Sequence, residues 1–334
     1  MNSPIRWGVL STAKIAVKQV IPAMQQGQLT QILGIASRSS ERASATALEL
    51  GIPRSYGSYE ALLADPDIDA VYNPLPNHLH VPWTLKALAA GKHVLCEKPV
   101  GLNTTEARSL WHAAQSYPDL KVMEAFMYRF HPQWLKAKAL VQDGALGEIR
   151  SIQSAFSYYN DDPGNIRNMA DIGGGALMDI GCYCISFPRF LLDMEPLRAV
   201  GLLETDPSFQ VDRLSSGMME FPGGVQATFT CATQLYPYQR VHILGTEGRL
   251  EVEIPANPPA GGRTRLFLYG AAAGPAVQEI WLEGSNHYTL QGDAFSRAIL
   301  EGKEVPTPLI DAVRNMAVIE AFFRSGKEER WVKV

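Results

Sequence analysis

The sequence predicts an α/β fold in two domains, a parallel sheet with helices on both faces and then an α+β domain with a mostly antiparallel sheet. Strand and helix patterns alternate along the first 125 residues, which is typical of a parallel sheet. From residue 148 onward, β-rich runs dominate and two helices follow them. The length of 334 residues also exceeds the roughly 250–300 residues that one core usually holds.

The first domain is predicted from short apolar runs separated by helical patterns. The predicted strands are Ile5–Leu10, Gln31–Ala36, Asp69–Asn73, His93–Cys96 and Lys121–Ala125. The predicted helices are Lys14–Gln26, Glu41–Leu50, Ala61–Leu63, Val81–Ala90 and Thr104–Gln115. Gly51 and Gly91 stop two of these helices, and Asn103 or Thr104 caps the last one. Ligands of such sheets bind at the carboxyl ends of the strands, near the point where the strand order reverses.

The second domain is predicted to begin near Phe126–Pro132. Its first strand covers Glu148–Tyr159 and its first helix Ala176–Leu192. Further predicted strands are Gly217–Phe221, Gln226–Thr233, Val241–Leu244, Arg249–Ile254 and Arg265–Tyr269, and the terminal helices are Leu290–Leu300 and Pro308–Arg324. The run Pro222-Gly223-Gly224 indicates a hairpin.

Charge and hydropathy exclude several classes of protein. The net charge is −4 and 46% of the residues are hydrophobic, so the chain is too apolar to be disordered. The same values predict no nucleic-acid partner and no membrane-surface role. No apolar run approaches the roughly 18 residues of a spanning helix. The first residues carry no signal-peptide pattern, which predicts a cytoplasmic protein.

Cysteine usage predicts no metal site. Four cysteines are present, and in a cytoplasmic chain we expect them to be reduced and mostly buried. Cys182 and Cys184 form a lone C-x-C pair without a second pair or a histidine at ligand spacing.

The turn after the first strand lies where a dinucleotide fingerprint would occur. The three glycine positions of G-x-G-x-x-G fall on Ser11, Ala13 and Ala16. Serine and alanine are small enough for a pyrophosphate to approach the backbone, and the amides at the start of the helix point at this turn. An ordinary strand–turn–helix is the alternative.

The end of the second strand favours NADP over NAD. Ser37, Arg38 and Arg42 stand where an NAD site usually places an acidic residue for the ribose hydroxyls. Guanidinium groups pair well with phosphate oxygens, so this end suits the 2′-phosphate. A solvated helix start with one basic face is the alternative.

Three further segments bear polar or small residues at positions expected near the sheet edge. They are Asn73 to His80 after the third strand, Glu97-Lys98-Pro99 after the fourth, and Gly173 to Tyr183 in the second domain. We expect a cis bond before Pro99 to be possible. Asp179 and Tyr183 are four residues apart and therefore share a helix face. We interpret His78, His80 and His131 as capping or turn residues rather than bases.

Taken in order, these segments resemble the glucose-fructose oxidoreductase / inositol dehydrogenase family (Gfo/Idh/MocA) over nearly the whole chain. The resemblance rests on the small-residue turn after Leu10, on Ser37-Arg38, on Leu75-Pro76-Asn77 with His80, on Glu97-Lys98-Pro99, on the run Glu124 to Pro132, and on the glycine-rich run to Tyr183. It implies an N-terminal Rossmann domain at 1–126. It also implies a C-terminal α+β domain with an open, mostly antiparallel sheet at 127–334, whose C-terminal helix is free to pack back on the first domain.

The resemblance also implies roles for individual residues. Lys98 matches the catalytic lysine beside the nicotinamide, Tyr183 a position that is histidine in many members, and Asp179 their acidic partner. The residues that match cofactor-binding positions are Thr12, Ala13, Lys14, Ile15, Ser37, Arg38, Arg42, Leu75, Pro76, Asn77, Glu97, Arg167 and Tyr288. A tyrosine at 183 resembles the glucose-fructose oxidoreductase, NADP-dependent xylose dehydrogenase and trans-dihydrodiol dehydrogenase branch.

These roles predict the chemistry. Tyr183 takes the proton of a sugar hydroxyl while hydride leaves for the nicotinamide. A free tyrosine has a pKa of about 10, which a nearby cation such as Lys98 would lower. Lys98 could equally stabilise the alkoxide, and Asp179 would orient the lysine or the sugar.

The predicted function is an NADP-dependent oxidoreductase, with NAD also possible, that acts on a sugar hydroxyl or carbonyl in the manner of an aldose 1-dehydrogenase. The alternatives are a trans-dihydrodiol dehydrogenase, another polyol or keto-sugar reductase, and a non-catalytic dinucleotide-binding sensor. The resemblance further implies a homodimer or homotetramer through the C-terminal sheet.

Overall fold

The computed structural model describes residues 3–334, which divide into two compact units. The first unit comprises the residues up to 127 together with 286–313, and the second comprises 128–285 together with 314–334. Residues 286–313 thus belong to the first unit, whereas the predicted boundary assigned them to the second domain and left its C-terminal helix free to pack back.

The predicted helices and strands occur in the predicted order, and the structure also forms elements at 54–56, 132–142, 198–205, 278–282 and 332–333 that were not predicted. The strands are β1 Ile5–Leu10, β2 Thr30–Ala36, β3 Arg54–Tyr56, β4 Ala70–Asn73, β5 His93–Cys96, β6 Val122–Glu124, β7 Ile149–Tyr159, β8 Arg198–Thr205, β9 Asp212–Glu220, β10 Gln226–Ala232, β11 Gln234–Gly245, β12 Gly248–Val252, β13 Thr264–Gly270, β14 Gln278–Leu282 and β15 Val332–Lys333. The α-helices are α1 Ile21–Met24, α2 Ser40–Leu50, α3 Tyr59–Leu63, α4 His80–Ala89, α5 Thr104–Ala114, α6 Pro132–Gln142, α7 Cys182–Leu192, α8 His287–Leu300 and α9 Leu309–Glu328. π-Helical turns at Ala16–Val20 and Leu177–Gly181 precede α1 and α7.

The first unit contains a parallel sheet in the order β3-β2-β1-β4-β5-β6. This is the strand order of a dinucleotide-binding doubly wound sheet. The order reverses between β1 and β4, so their carboxyl ends form the edge at which a ligand is expected. Every residue of β4 is buried, as a sheet covered on both faces requires.

Helix α8 packs within the first unit, which explains its place there. The Trp7 ring lies 5.5 Å from the Phe295 ring, and its Nε1 donates to Ser296 Oγ at 3.1 Å. Thr289 Oγ1 donates to the carbonyl of Ala23 at 2.7 Å. These side chains are far apart along the chain, so local patterns could not predict their contact.

The second unit contains a mixed sheet that spans nine strands of the described chain, in the order β14-β13-β12-β11-β7-β10-β9-β8-β15. Every neighbouring pair is antiparallel except β10 with β7. The Pro222–Gly224 turn connects β9 to β10, as the hairpin signal predicted. The two sheets confirm the predicted fold class.

The helical run Ala170–Leu192 is long and apolar enough to cross a membrane by length and composition, which the sequence analysis did not anticipate. Of its most apolar 18-residue stretch, 83% is buried inside the protein. Phe187 of this run stacks on Trp134 at 4.6 Å. Its apolar character is therefore that of a core helix.

Candidate active site

The turn after β1 keeps a glycine-like backbone although glycine is absent from it. Ser11, at the first glycine position of the fingerprint, has φ 151°, a value that L-residues rarely adopt. The Val17 amide donates to the Ala13 carbonyl at 3.0 Å, so the helix begins within this turn. Ala13, Lys14 and Ile15 therefore present amides at the start of the helix that have no intrahelical partners, and Thr12 precedes them in the turn. These amides are where a pyrophosphate would bind.

Two exposed arginines lie at the carboxyl end of β2. Ser37 is buried, whereas Arg38 and Arg42 are exposed on the loop and the first turn of α2. The neighbouring carboxylate, Glu41, accepts a hydrogen bond from the Ser39 hydroxyl at 2.7 Å, and this bond lowers the pKa of Glu41. Within residues 3–334, neither arginine forms an ion pair. Both guanidinium groups are thus accessible to a phosphate.

The segment after β4 is shaped by a buried asparagine. Asn73, fully buried, donates from Nδ2 to the His80 carbonyl at 3.1 Å and accepts the Leu75 amide at 3.4 Å. Leu75 is buried, and Pro76 and Asn77 are half-buried at the start of the 3-10 turn Asn77–Leu79. The structure thus places the predicted cofactor residues of this segment at the carboxyl end of β4.

Glu97 and Lys98 follow β5 at the same edge of the sheet. Tyr72 donates its hydroxyl to Glu97 Oε1 at 2.6 Å, and the Lys98 amide donates to Glu97 Oε2 at 3.3 Å. The Lys98–Pro99 peptide is cis, as the sequence suggested. Tyr288 of α8 is buried in this unit, and burial together with the charge of Glu97 raises the pKa of its hydroxyl. Glu97, Lys98 and Tyr288 therefore belong to one unit with the dinucleotide turn.

A buried histidine lies beside this segment. The His80 side chain contacts the Pro99 carbonyl through Nδ1 at 2.7 Å and the Leu75 carbonyl through Nε2 at 2.6 Å. Burial lowers the pKa of His80 to about 4, although both carbonyl acceptors favour the protonated ring. The prediction that His80 is a turn residue agrees with this position.

In the second unit, Asp179 is the centre of a polar cluster. Its Oδ2 accepts hydrogen bonds from Tyr158 Oη at 2.6 Å and from Arg167 Nε at 2.8 Å. The Asp179 charge raises the pKa of the Arg167 guanidinium. Burial, followed by the Asp179 charge, raises the pKa of the Tyr158 hydroxyl. The cluster thus holds an ion pair and a neutral hydroxyl together.

Tyr183 lies beside this cluster at the start of α7. Its side chain is 4% exposed, and its ring packs near Tyr128, Phe156 and Phe187, with centroid distances of 5.8–6.2 Å. A negative charge on Tyr183 contributes to the raised pKa of Arg167, so the two groups are electrostatically coupled. The Arg167 guanidinium, paired with Asp179, is therefore within electrostatic range of the Tyr183 hydroxyl.

The glycine run positions this helix. A β-carbon on Gly174 would lie 2.6 Å from the Arg167 carbonyl oxygen, and one on Gly175 would lie 2.1 Å from Asp212 Oδ1. Gly175 also has φ 108°, which favours glycine. Asp212 is buried and accepts the Leu177 amide at 2.7 Å, so it caps the π-helical turn that carries Asp179. These two glycines thus allow a close approach to the Arg167 loop and to Asp212.

Tyr158 and Asp212 were not among the predicted catalytic and cofactor-binding residues, although the sequence predicts that loops around Tyr158 to Asn168 and Phe209 to Asp212 read the substrate hydroxyls. Tyr158 is the penultimate residue of a strand that the sequence predicted, but the residue pattern of that strand did not indicate which tyrosine contacts Asp179. Asp212 begins β9, and burial raises its pKa to about 6. Asp212 lies five residues before the predicted strand Gly217–Phe221, and its partner Leu177 lies 35 residues away along the chain. Residues 3–334 contain no group of three or more His, Cys, Asp or Glu side chains that could hold a metal ion.

The chain matches two family models and several known proteins. Residues 5–126 match the model described as an oxidoreductase family with an NAD-binding Rossmann fold, and residues 134–251 match a GFO/IDH/MocA C-terminal domain. The chain is 42% identical to an uncharacterized oxidoreductase of Rhizobium meliloti over 332 residues, 99% of each chain. It is 38% identical to D-xylose 1-dehydrogenase (NADP(+)) 2 of Haloferax volcanii over 325 residues, 96% of this chain and 97% of that one.

A solved structure has the same fold as this chain. The crystal structure of KijD10, a 3-ketoreductase from Actinomadura kijaniata in complex with NADP and TDP-benzene, superposes with a TM-score of 0.89 at 32% identity, covering 97% of this chain and 98% of that one. These matches confirm the resemblance and the predicted class of cofactor, a nicotinamide dinucleotide. The chain belongs to the GFO/IDH/MocA family and is an NAD(P)-dependent oxidoreductase.

Proposed function

We propose that this enzyme is an NADP-dependent oxidoreductase that transfers hydride between the nicotinamide and a sugar hydroxyl or carbonyl, as an aldose 1-dehydrogenase does. The observation that carries the proposal is the polar cluster of Tyr158, Arg167 and Asp179 beside Tyr183. A buried carboxylate with a guanidinium and two hydroxyls suits a polyhydroxylated substrate that must gain or lose a proton. The similarity to an NADP-dependent xylose dehydrogenase supports the same substrate class.

The residues of the first unit are assigned to the cofactor. The amides of residues 12–15 bind the pyrophosphate, Ser37, Arg38 and Arg42 bind the 2′-phosphate, and Leu75, Pro76, Asn77, Glu97 and Tyr288 line the nicotinamide ribose. Bound NADP supplies the hydride acceptor or donor. The glycine-like φ of Ser11 and the accessible guanidinium groups fit this group.

The residues assigned to proton transfer are Lys98, Asp179 and Tyr183. In the oxidative direction the substrate C–H bond breaks with its electron pair leaving as hydride, and the hydroxyl proton passes to Tyr183. Arg167 places a guanidinium within electrostatic range of the Tyr183 oxygen, and Asp179 fixes Arg167 through the bond to Nε. Lys98 stabilises the negative charge that develops on the substrate oxygen. Reduction reverses these steps.

A second candidate function is reduction of a keto-sugar, which the similarity to the 3-ketoreductase favours. The same proton donor and the same cofactor would serve it in the reverse direction. Oxidation of a trans-dihydrodiol is a further alternative, because it needs the same proton transfer from an alcohol. Assays of a panel of sugars and diols in both the oxidative and the reductive direction distinguish these alternatives.

We also propose that the enzyme is a homodimer or homotetramer through the sheet of the second unit. Leu202 on β8 is 77% exposed and Trp281 on β14 is 46% exposed, so the sheet presents apolar side chains to solvent. The ion pair between Arg265 and Glu253 at 2.7 Å adds a polar component. A cytoplasmic location stays a prediction from the sequence.

Replacing Arg38 by alanine is expected to raise KM for NADP+ by roughly 10–100-fold and to change KM for NAD+ little. A hydrogen bond to a charged group contributes about 1.5–3 kcal/mol, and only NADP carries the 2′-phosphate that would receive it. Steady-state kinetics with both cofactors measures the effect. Arg108→Ala, which removes another exposed arginine of the same unit on α5, serves as the control. Equal losses with NAD+ and NADP+ would contradict the assignment.

The proposed activity is tested with purified protein, NADP+ and a panel of aldoses and trans-dihydrodiols, and with NADPH and keto-sugars. We expect absorbance at 340 nm to rise with at least one aldose, D-xylose among the first to be tried. Cofactor binding is measured separately by NADPH fluorescence. Binding without turnover of any substrate in either direction would contradict catalysis and favour a dinucleotide-binding sensor.

A further inference from the structure

Two buried side chains hold the two polar atoms of a single peptide group, the one that joins Pro99 to Val100. His80 Nδ1 lies 2.7 Å from the Pro99 carbonyl oxygen. Glu124 Oε1 accepts the Val100 amide at 2.8 Å. The carbonyl and the amide of one peptide group are thus each bound by a different side chain, directly after Lys98.

We propose that His80 and Glu124 form a clamp on the Pro99–Val100 peptide, here called the peptide clamp, which positions Lys98 for the reaction. This inference rests on the proposed role of Lys98. Neither residue of the clamp is assigned contact with substrate or cofactor, so both are positioning residues.

The clamp is built from two separate elements of the first unit. His80 is the first residue of α4 and is 1% exposed, and Glu124 is the last residue of β6 and is 2% exposed. The surrounding atoms hold side chains that are buried to this degree in one position. Burying a polar group costs free energy unless the group forms a hydrogen bond. The Pro99–Val100 peptide is therefore fixed by the framework of the sheet rather than by its own loop.

His80 also connects this peptide to the segment after β4. Its Nε2 lies 2.6 Å from the Leu75 carbonyl oxygen, next to the residues assigned to the nicotinamide ribose. Because Pro99 adjoins Lys98, a shift of the clamped peptide moves the lysine. A misplacement of about 1 Å at a reacting group can lower the rate by about 10²-fold.

The two contacts of His80 are separated by a pair of matched variants. The amide nitrogen of asparagine occupies the position of Nδ1, and that of glutamine the position of Nε2. His80→Asn keeps a donor for Pro99, whereas His80→Gln keeps one for Leu75. On the other side, Glu124→Gln keeps an acceptor for the Val100 amide and Glu124→Met removes it.

With D-xylose and NADP+ as the probe, His80→Gln and Glu124→Met are expected to lower kcat by about 10²-fold. His80→Asn is expected to retain clearly more activity than His80→Gln, and Glu124→Gln clearly more than Glu124→Met. KM for NADP+ should change much less than kcat, because the dinucleotide turn is not part of the clamp. His93→Gln, which alters a half-buried histidine at the opposite end of β5, should leave kcat unchanged.

The decisive comparison places His80→Gln in the Lys98→Met background. If the clamp acts through Lys98, adding His80→Gln to the Lys98→Met enzyme lowers kcat no further, because effects that act through one group are not additive. A crystal structure of His80→Gln should also show the Lys98 α-carbon displaced. Full additivity, an unmoved Lys98, or His80→Gln outperforming His80→Asn would overturn the clamp. Full activity of Lys98→Met alone would instead overturn the proposed function of Lys98.

Discussion

Replacing Lys98 by alanine is expected to lower kcat by about 10³-fold while NADP binding is retained. A positioned acid, base or charge-stabilising group contributes typically 10²–10⁴-fold to the rate. Lys98 follows β5 at the carboxyl edge of the sheet, and its own amide bonds to Glu97. The amides of residues 12–15 and the arginines after β2 are untouched, so the cofactor should bind as before.

The measurement is the rate of NADPH formation at saturating substrate, together with NADPH fluorescence for binding. Lys86→Ala provides the matched control, because Lys86 is a half-exposed lysine of the same unit that pairs with Glu60. A surface ion pair of this kind contributes about 0–1 kcal/mol, so activity should stay unchanged. Full activity of the Lys98 variant would remove Lys98 from the mechanism.

Replacing Tyr183 by phenylalanine is expected to lower kcat by about 10²–10⁴-fold with little change in stability. The substitution removes the hydroxyl that exchanges the proton and leaves the ring among Tyr128, Phe156 and Phe187. Arg167 and Asp179 keep their ion pair, because Asp179 bonds to Arg167 and Tyr158 independently of Tyr183.

The control for this variant is Tyr159→Phe, which removes an exposed tyrosine hydroxyl at the end of β7. Thermal unfolding of both variants checks that the core is intact. Since Tyr183 is assigned the proton in both directions, NADP+ reduction and NADPH oxidation should fall together. A Tyr183→Phe enzyme as fast as the parent would transfer the role to another group, with Tyr158 as the nearest hydroxyl on Asp179.

The framework of the first unit could be predicted because local patterns determine it. Buried runs such as Ile5–Leu10 are continuous and short, and Gly51 ends α2 in the left-handed conformation with φ 63° that favours glycine. β3 was missed because Arg54–Tyr56 is short and polar, and its pairing with β2 comes from tertiary packing.

The candidate site could be predicted only as a set of residues. The sequence identified Asp179, Tyr183 and Arg167. The bond from Tyr158 to Asp179 and the cap by Asp212 join strands β7 and β9 to the π-helical turn Leu177–Gly181, which local patterns do not show. The glycine-free fingerprint also concealed the conformation of Ser11, since a serine gives no sign of a positive φ. Contacts between residues that are distant in the sequence could be identified only from the structure.

The central claim is hydride transfer between a sugar and NADP, and isotope transfer tests it most directly. An aldose that is active in the panel is supplied with deuterium at C1, and the NADPH formed is analysed by mass spectrometry. The account predicts NADPH heavier by a single deuterium on its nicotinamide ring and a sugar product without the label. NADPH without deuterium, formed from the labelled sugar, would contradict hydride transfer from C1.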